Sequence, residues 1–170
     1  MNNRFFWLAP IAVVSSTLAC FGTQYLTIEQ AQKSCFPHAT KFVAFTIDPK
    51  SDAHVRDTDQ QIWRAYSNST FIGWFIVDNV IGKHDFITWA LALNADGSVK
   101  QIEIMDYRET YGSEIRDAKW RSQFVGKKYG SPLQVDHDIK NISGATLSSR
   151  HITDGVNQLL LFYETTLKKS

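Results

Sequence analysis

Gly73-Trp74-Phe75-Ile76-Val77-Asp78-Asn79-Val80-Ile81-Gly82 is rich in β-branched and aromatic residues and bounded by glycines. Phe86-Ile87-Thr88-Trp89-Ala90-Leu91-Ala92-Leu93 follows, then the turn Asn94-Ala95-Asp96-Gly97 and the run Val99-Lys100-Gln101-Ile102-Glu103-Ile104-Met105. Branched and aromatic side chains favour extended backbone, and an Asp-Gly pair between two apolar runs supplies the positive φ that a hairpin needs. These residues predict consecutive antiparallel strands. A sheet so apolar has to be covered, so the expected class is α+β, an antiparallel sheet covered by helices.

The covering layer is expected on both sides of this stretch in sequence. From Leu147 to Leu167, the residues Ile152, Val156, Leu159, Leu160 and Tyr163 fall at spacings of four, three, one and three, which is one face of a helix. Ser148 and Ser149 are good N-cap residues for it. Nearer the N-terminus, Leu26 to Phe36 reads as a short amphipathic helix, with Thr27 and Gln30 spaced for a capping box and Pro37 ending it. Asp48 to Gln61 is polar, charged and without a period, and reads as a loop.

Composition narrows the function. With 170 residues, 44% hydrophobic and 13% aromatic, the chain can bury one substantial core. Its 18 Lys plus Arg against 17 Asp plus Glu leave no basic excess of the kind that nucleic-acid binding requires. The five histidines show no metal-ligand spacing; the nearest candidate pair, His137 and His151, are fourteen apart. There is no nucleophile elbow, Walker loop or dinucleotide fingerprint, and Asp106 and Glu109 read as solvated loop acids, so no catalytic residue is assigned. Cys20 and Cys35 lack a Cys-x-x-Cys spacing, and Cys35 reads as a buried structural residue.

The first 22 residues have the layout of an export signal. Arg4 precedes an apolar run from Phe5 to Leu18, and small residues follow near Ala19 and Gly22. The expectation is a cleaved secretory signal peptide, with an uncleaved anchor as the alternative. The protein is then periplasmic or otherwise extracytoplasmic. Residues 23–71 are expected to hold the N-terminal helix and an irregular segment, and residues 72–170 the functional domain.

Just ahead of the last helix stands Ser143-Gly144-Ala145-Thr146-Leu147-Ser148-Ser149. Small residues admit close approach to the backbone, Thr146 adds a hydroxyl, and the helix N-terminus favours an anion. On the residues alone, this is a capped helix start that can also hold a phosphate.

The run closely resembles the attachment motif of the FMN-binding domain family, which includes flavinylated subunits of sodium-pumping and Rnf-type redox complexes. The resemblance covers roughly residues 72 to 163. A second family segment, a Glu-Thr-Pro-Gly-Leu-Gly loop near the flavin ring, is matched here by Glu109-Thr110-Tyr111-Gly112-Ser113-Glu114, with Tyr111 and Glu114 in place of the usual Pro and second Gly. Trp120, Gln123-Phe124 and Gly126-Lys127 resemble the segment leading into the attachment site.

What the resemblance implies is FMN as cofactor, bound by Thr146, Ser143, Gly144, Ala145, Ser148, Glu109, Thr110 and Gly112, with Thr146 as acceptor of a phosphoester installed from FAD by a flavin transferase. It further implies an electron carrier working with redox partners such as a membrane reductase, a cytochrome or an iron–sulfur protein. Where the family has Asp six residues before the acceptor, this chain has Lys140; Asp136 and Asp138 are the nearest acids. Non-covalent FMN therefore stays open, as does a non-redox binding or assembly module on the same fold. Tyr107, Tyr111 and Trp120 are candidate ring walls, Gly112 allows close backbone approach, Arg108 can reach a polar edge, and Lys127 and Lys128 can offset phosphate charge.

Overall fold

The computed structural model describes residues 23–46, 60–109 and 111–170. The expected signal segment, most of the polar loop between Asp48 and Gln61, and Thr110 lie outside the described residues.

The apolar runs quoted above each form a strand. Strands β1 (Thr23–Gln24), β2 (Lys41–Phe45), β3 (Gln61–Ser67), β4 (Thr70–Ile81), β5 (Phe86–Asn94) and β6 (Val99–Tyr107) form one sheet in the order β1-β6-β5-β4-β3-β2. All neighbouring pairs are antiparallel. Helix α1 (Ile28–Cys35), the short α2 (Ala118–Arg121) and α3 (Thr146–Thr165) complete the α+β arrangement.

Alternation within β5 explains why that strand reads as continuously apolar. Ile87, Trp89, Leu91 and Leu93 join the core that contains Ile152, Val156, Leu159 and Leu160 of α3. Ala90 and Ala92 join a second core, with Ala31 and Cys35 of α1. A strand covered on both faces needs apolar residues at every position. Every residue expected on the buried face of α3 is indeed buried.

α1 starts as its sequence dictates. The Gln30 N–H donates to Thr27 Oγ1 at 3.3 Å, and the Thr27 N–H to Gln30 Oε1 at 2.8 Å. At α3 the expected cap is displaced. The N-cap is Ala145, which has no side-chain acceptor, while Ser148 and Ser149 lie buried inside the first turn. Ser148 is drawn inward by a hydrogen bond with the Tyr107 phenol, so its hydroxyl is not available to cap.

The two-residue β1 and two longer strands go beyond the sequence reading. Residues 41–45 and 61–67 pair with each other and extend the sheet beyond β4. The sheet is thus continuous across residues 71 and 72, where the sequence suggests an irregular segment giving way to the functional domain.

Candidate functional site

The end of β6 and the start of α3 are brought together by close packing. Gly112 has φ +89°, and a Cβ added there would fall 2.0 Å from Ala145 Cβ and 2.8 Å from Tyr107 Oη. Only glycine satisfies both the backbone and the space. Beneath this contact, the Tyr107 hydroxyl donates to the Tyr111 carbonyl while engaged with Ser148. Burial pushes the Tyr107 phenol above its ordinary value, so it stays a neutral hydrogen-bonding group. Two separated sequence segments therefore form one wall.

Around that wall lies a cavity of about 320 Å³ lined by Glu109, Tyr111, the Gly144–Ser148 stretch, Lys83 and His84. Thr146 is exposed at the first position of α3, and Asn141 Nδ2 donates to its Oγ1 at 3.2 Å. Because Ala145 supplies no cap, the first-turn N–H groups of α3 are left for water or an anion, in the positive end of the helix dipole.

The remaining expected residues divide by position. Tyr111 is 75% exposed at the cavity, whereas Tyr107 lies buried behind it. Trp120 is buried and faces a second groove, about 470 Å³, shared with Ser143, Lys140 and Glu114. There the Lys140 backbone is fixed, its carbonyl accepting from Trp120 Nε1 at 2.7 Å and its N–H donating to Gln123 Oε1 at 2.9 Å. Asp138 is engaged within its own turn, accepting from the Gln134 N–H at 3.2 Å. Lys127 donates to the Pro132 carbonyl and Lys128 pairs with Asp96 at 2.8 Å, neither of them among the cavity's lining residues. Arg108 pairs with Asp106 at 2.8 Å.

Glu109 lines the cavity and also holds a neighbouring turn. Its carboxylate accepts the N–H of His84 at 2.6 Å and of Asp85 at 3.1 Å. Burial opposes its ionisation, but these bonds, joined by the Lys83 N–H, prevail and hold the carboxyl below its ordinary value. Lys83 and His84 themselves escape sequence reading. They sit in a short polar turn between two strands, and only the fold carries that turn to the cavity.

Residues 82–161 match the family model of the FMN-binding domain. Over 121 residues the chain is 26% identical to a subunit of the Na(+)-translocating ferredoxin:NAD(+) oxidoreductase complex of Acetobacterium woodii, covering 64% of this chain and 57% of that relative. It is 33% identical over 79 residues to a subunit of the Na(+)-translocating NADH-quinone reductase of Vibrio vulnificus, covering 36% of this chain and 31% of that relative. The same reductase's subunit from Vibrio anguillarum matches to the same extent. The chain thus spans between about a third and six-tenths of the relatives' length.

Proposed function

We propose that the chain, whose residues 82–161 match the FMN-binding domain model, is an electron-transfer flavoprotein whose FMN occupies the cavity beside Thr146. The observation that carries this reading is the packing of Gly112 on Ala145, which joins the two segments that resemble the family's flavin site at one cavity.

The residues present suit FMN. A phosphate needs N–H donors and positive potential, and the uncapped start of α3 offers both. A flat, largely apolar ring needs an apolar surface, and Tyr111 and Leu147 line the same space at 75% and 43% exposure. When bound, FMN supplies the redox chemistry, exchanging electrons in pairs or singly. The protein's part is to fix the phosphate end at α3, to stiffen the wall through Tyr107 and Ser148, and to leave one side open to a partner.

Covalent attachment through Thr146 is part of the proposal. The Thr146 hydroxyl attacks the FMN phosphorus of FAD, forming the Oγ–P bond, breaking the pyrophosphate and releasing AMP and a proton. A flavin transferase catalyses this step. Thr146 suits it because its Oγ1 is exposed and oriented by Asn141. Lys140 leaves non-covalent FMN as the second reading, since its backbone anchoring fixes a cationic residue six positions before the acceptor.

The relatives are subunits of ion-translocating redox complexes by name, which supports redox partner proteins at a membrane. Among the described residues no helix is long and apolar enough to cross one. Export rests on the N-terminal sequence, with Arg4 ahead of an apolar run and a small-residue exit. Co-expression with a flavin transferase tests the function. A yellow protein whose flavin survives denaturation supports covalent FMN. Colour lost on denaturation supports the second reading, and a colourless protein removes both.

A further inference from the structure

Glu109, at the edge of the cavity, holds another segment with its carboxylate. The turn Gly82-Lys83-His84-Asp85 joins β4 to β5 and closes on itself, the Gly82 N–H donating to the Asp85 carbonyl at 2.7 Å. The Glu109 carboxylate then takes the N–H groups of His84 and Asp85 from the outside. A Cβ at residue 82 would fall 2.4 Å from Glu109 Oε1, so glycine is what lets the carboxylate close in. With its carboxylate turned to these donors, Glu109 leaves the Lys83 and His84 side chains lining the cavity.

We propose that Lys83, carried by a turn that Glu109 clamps, is the cation on the ring side of the flavin site and favours the reduced flavin. This rests on the FMN reading above. With the phosphate end at Thr146, Tyr111 and the β4–β5 turn are the cavity lining left to face the ring. A flavin ring that takes up two electrons and one proton carries a net negative charge. A cation nearby stabilises that form over the neutral oxidised one, and charge beside the ring is a principal means by which a protein tunes its potential. Lys83 is exposed, so water moderates the effect without abolishing it. Glu109 is a positioning residue in this scheme.

The test is a redox titration of the FMN-loaded full chain with dithionite and reference dyes at fixed pH. Lys83→Gln is expected to lower the midpoint potential by about 30 mV, the equivalent of a tenfold shift for a two-electron couple, while Lys83→Arg retains the wild-type value. Glu109→Ala is expected to lower it too, although it removes a negative charge, and to add little on top of Lys83→Gln. Glu109→Gln, which keeps an acceptor oxygen, does not lower it. A Lys83→Gln potential equal to that of the wild type overturns the proposal, and a rise in Glu109→Ala overturns the clamp. A wild-type chain that takes up no FMN overturns the FMN reading and this inference together. A loaded wild type with an unmoved Lys83→Gln potential overturns this inference alone. Lys83 is exposed, so its variants test charge without disturbing the core.

Discussion

Gly112 and Ala145 touch so closely that no side chain can be inserted between them: a Cβ on Gly112 would lie 2.0 Å from Ala145 Cβ. This contact fastens the loop after β6 to the start of α3 and so sets the shape of the cavity. Gly112→Ala is expected to cost at least about 2 kcal/mol, from overpacking and from the positive φ, and to lower flavin content. Chemical denaturation and absorbance of the purified protein check both. An unchanged stability would mean that the two segments move apart freely.

A second prediction concerns the ion pair behind the sheet. Arg121 Nη1 lies 2.6 Å from Glu103 Oε2, both side chains being nearly buried, and Arg121 also donates to the Ile102 carbonyl. Ser34 and Gln101 supply further hydrogen bonds to Glu103. Removing one member leaves the other buried without its counter-charge. Arg121→Ala is therefore expected to destabilise by about 3 kcal/mol, measured by urea unfolding, with Glu103→Gln/Arg121→Met less damaging than the single truncation.

Acid stability follows from Glu109. Its carboxyl titrates below the ordinary 4.5 in the folded chain because backbone N–H groups stabilise the anion. The folded state then binds the proton less readily than the unfolded state. The stabilisation is fully present above the ordinary value and is lost as pH falls through the lowered one. Wild type should thus lose stability more steeply than Glu109→Gln below about pH 4.5. Parallel slopes in thermal melts across that range would contradict the hydrogen-bonded turn.

Cys35 is expected to be chemically silent. Burial between the end of α1 and the sheet, reinforced by the nearby Glu103 charge, pushes its thiol up to about 12. The thiolate is the reactive form, so alkylation of Cys35 in the native protein should be slow and become fast in denaturant. Peptide mapping by mass spectrometry reads Cys35 separately from Cys20.

How much of this is legible in the sequence depends on the element. The face of α3 and the capping box of α1 follow rules of local spacing, and both hold. β4, β5 and β6 are legible because branched and aromatic residues dominate them. β3 is not, because Arg64 sits in the middle of it. In the structure its guanidinium lies 4.5 Å from the Phe45 ring centre and 5.0 Å from that of Trp74, a cross-strand contact that makes a charge acceptable in a strand. The Ser148 and Ser149 caps fail because the helix already begins at Thr146, which puts both serines inside its first turn. At the site, the sequence points to Thr146, Gly144, Ala145 and Glu109, which the structure gathers at one cavity. Ser143 and Trp120 fall at the neighbouring groove instead, and Lys83 and His84 enter only through the sheet register that places their turn beside Glu109.

The central claim is that Thr146 holds FMN at the start of α3, and one measurement tests it most directly. Intact-protein mass spectrometry under denaturing conditions, after co-expression with a flavin transferase, compares wild type with Thr146→Ala. The prediction is that wild type carries the added mass of one FMN less one water and that Thr146→Ala does not, with both proteins folded because Thr146 is exposed. An FMN adduct that persists in Thr146→Ala, or a wild type of unmodified mass that holds no flavin under native conditions, would contradict it.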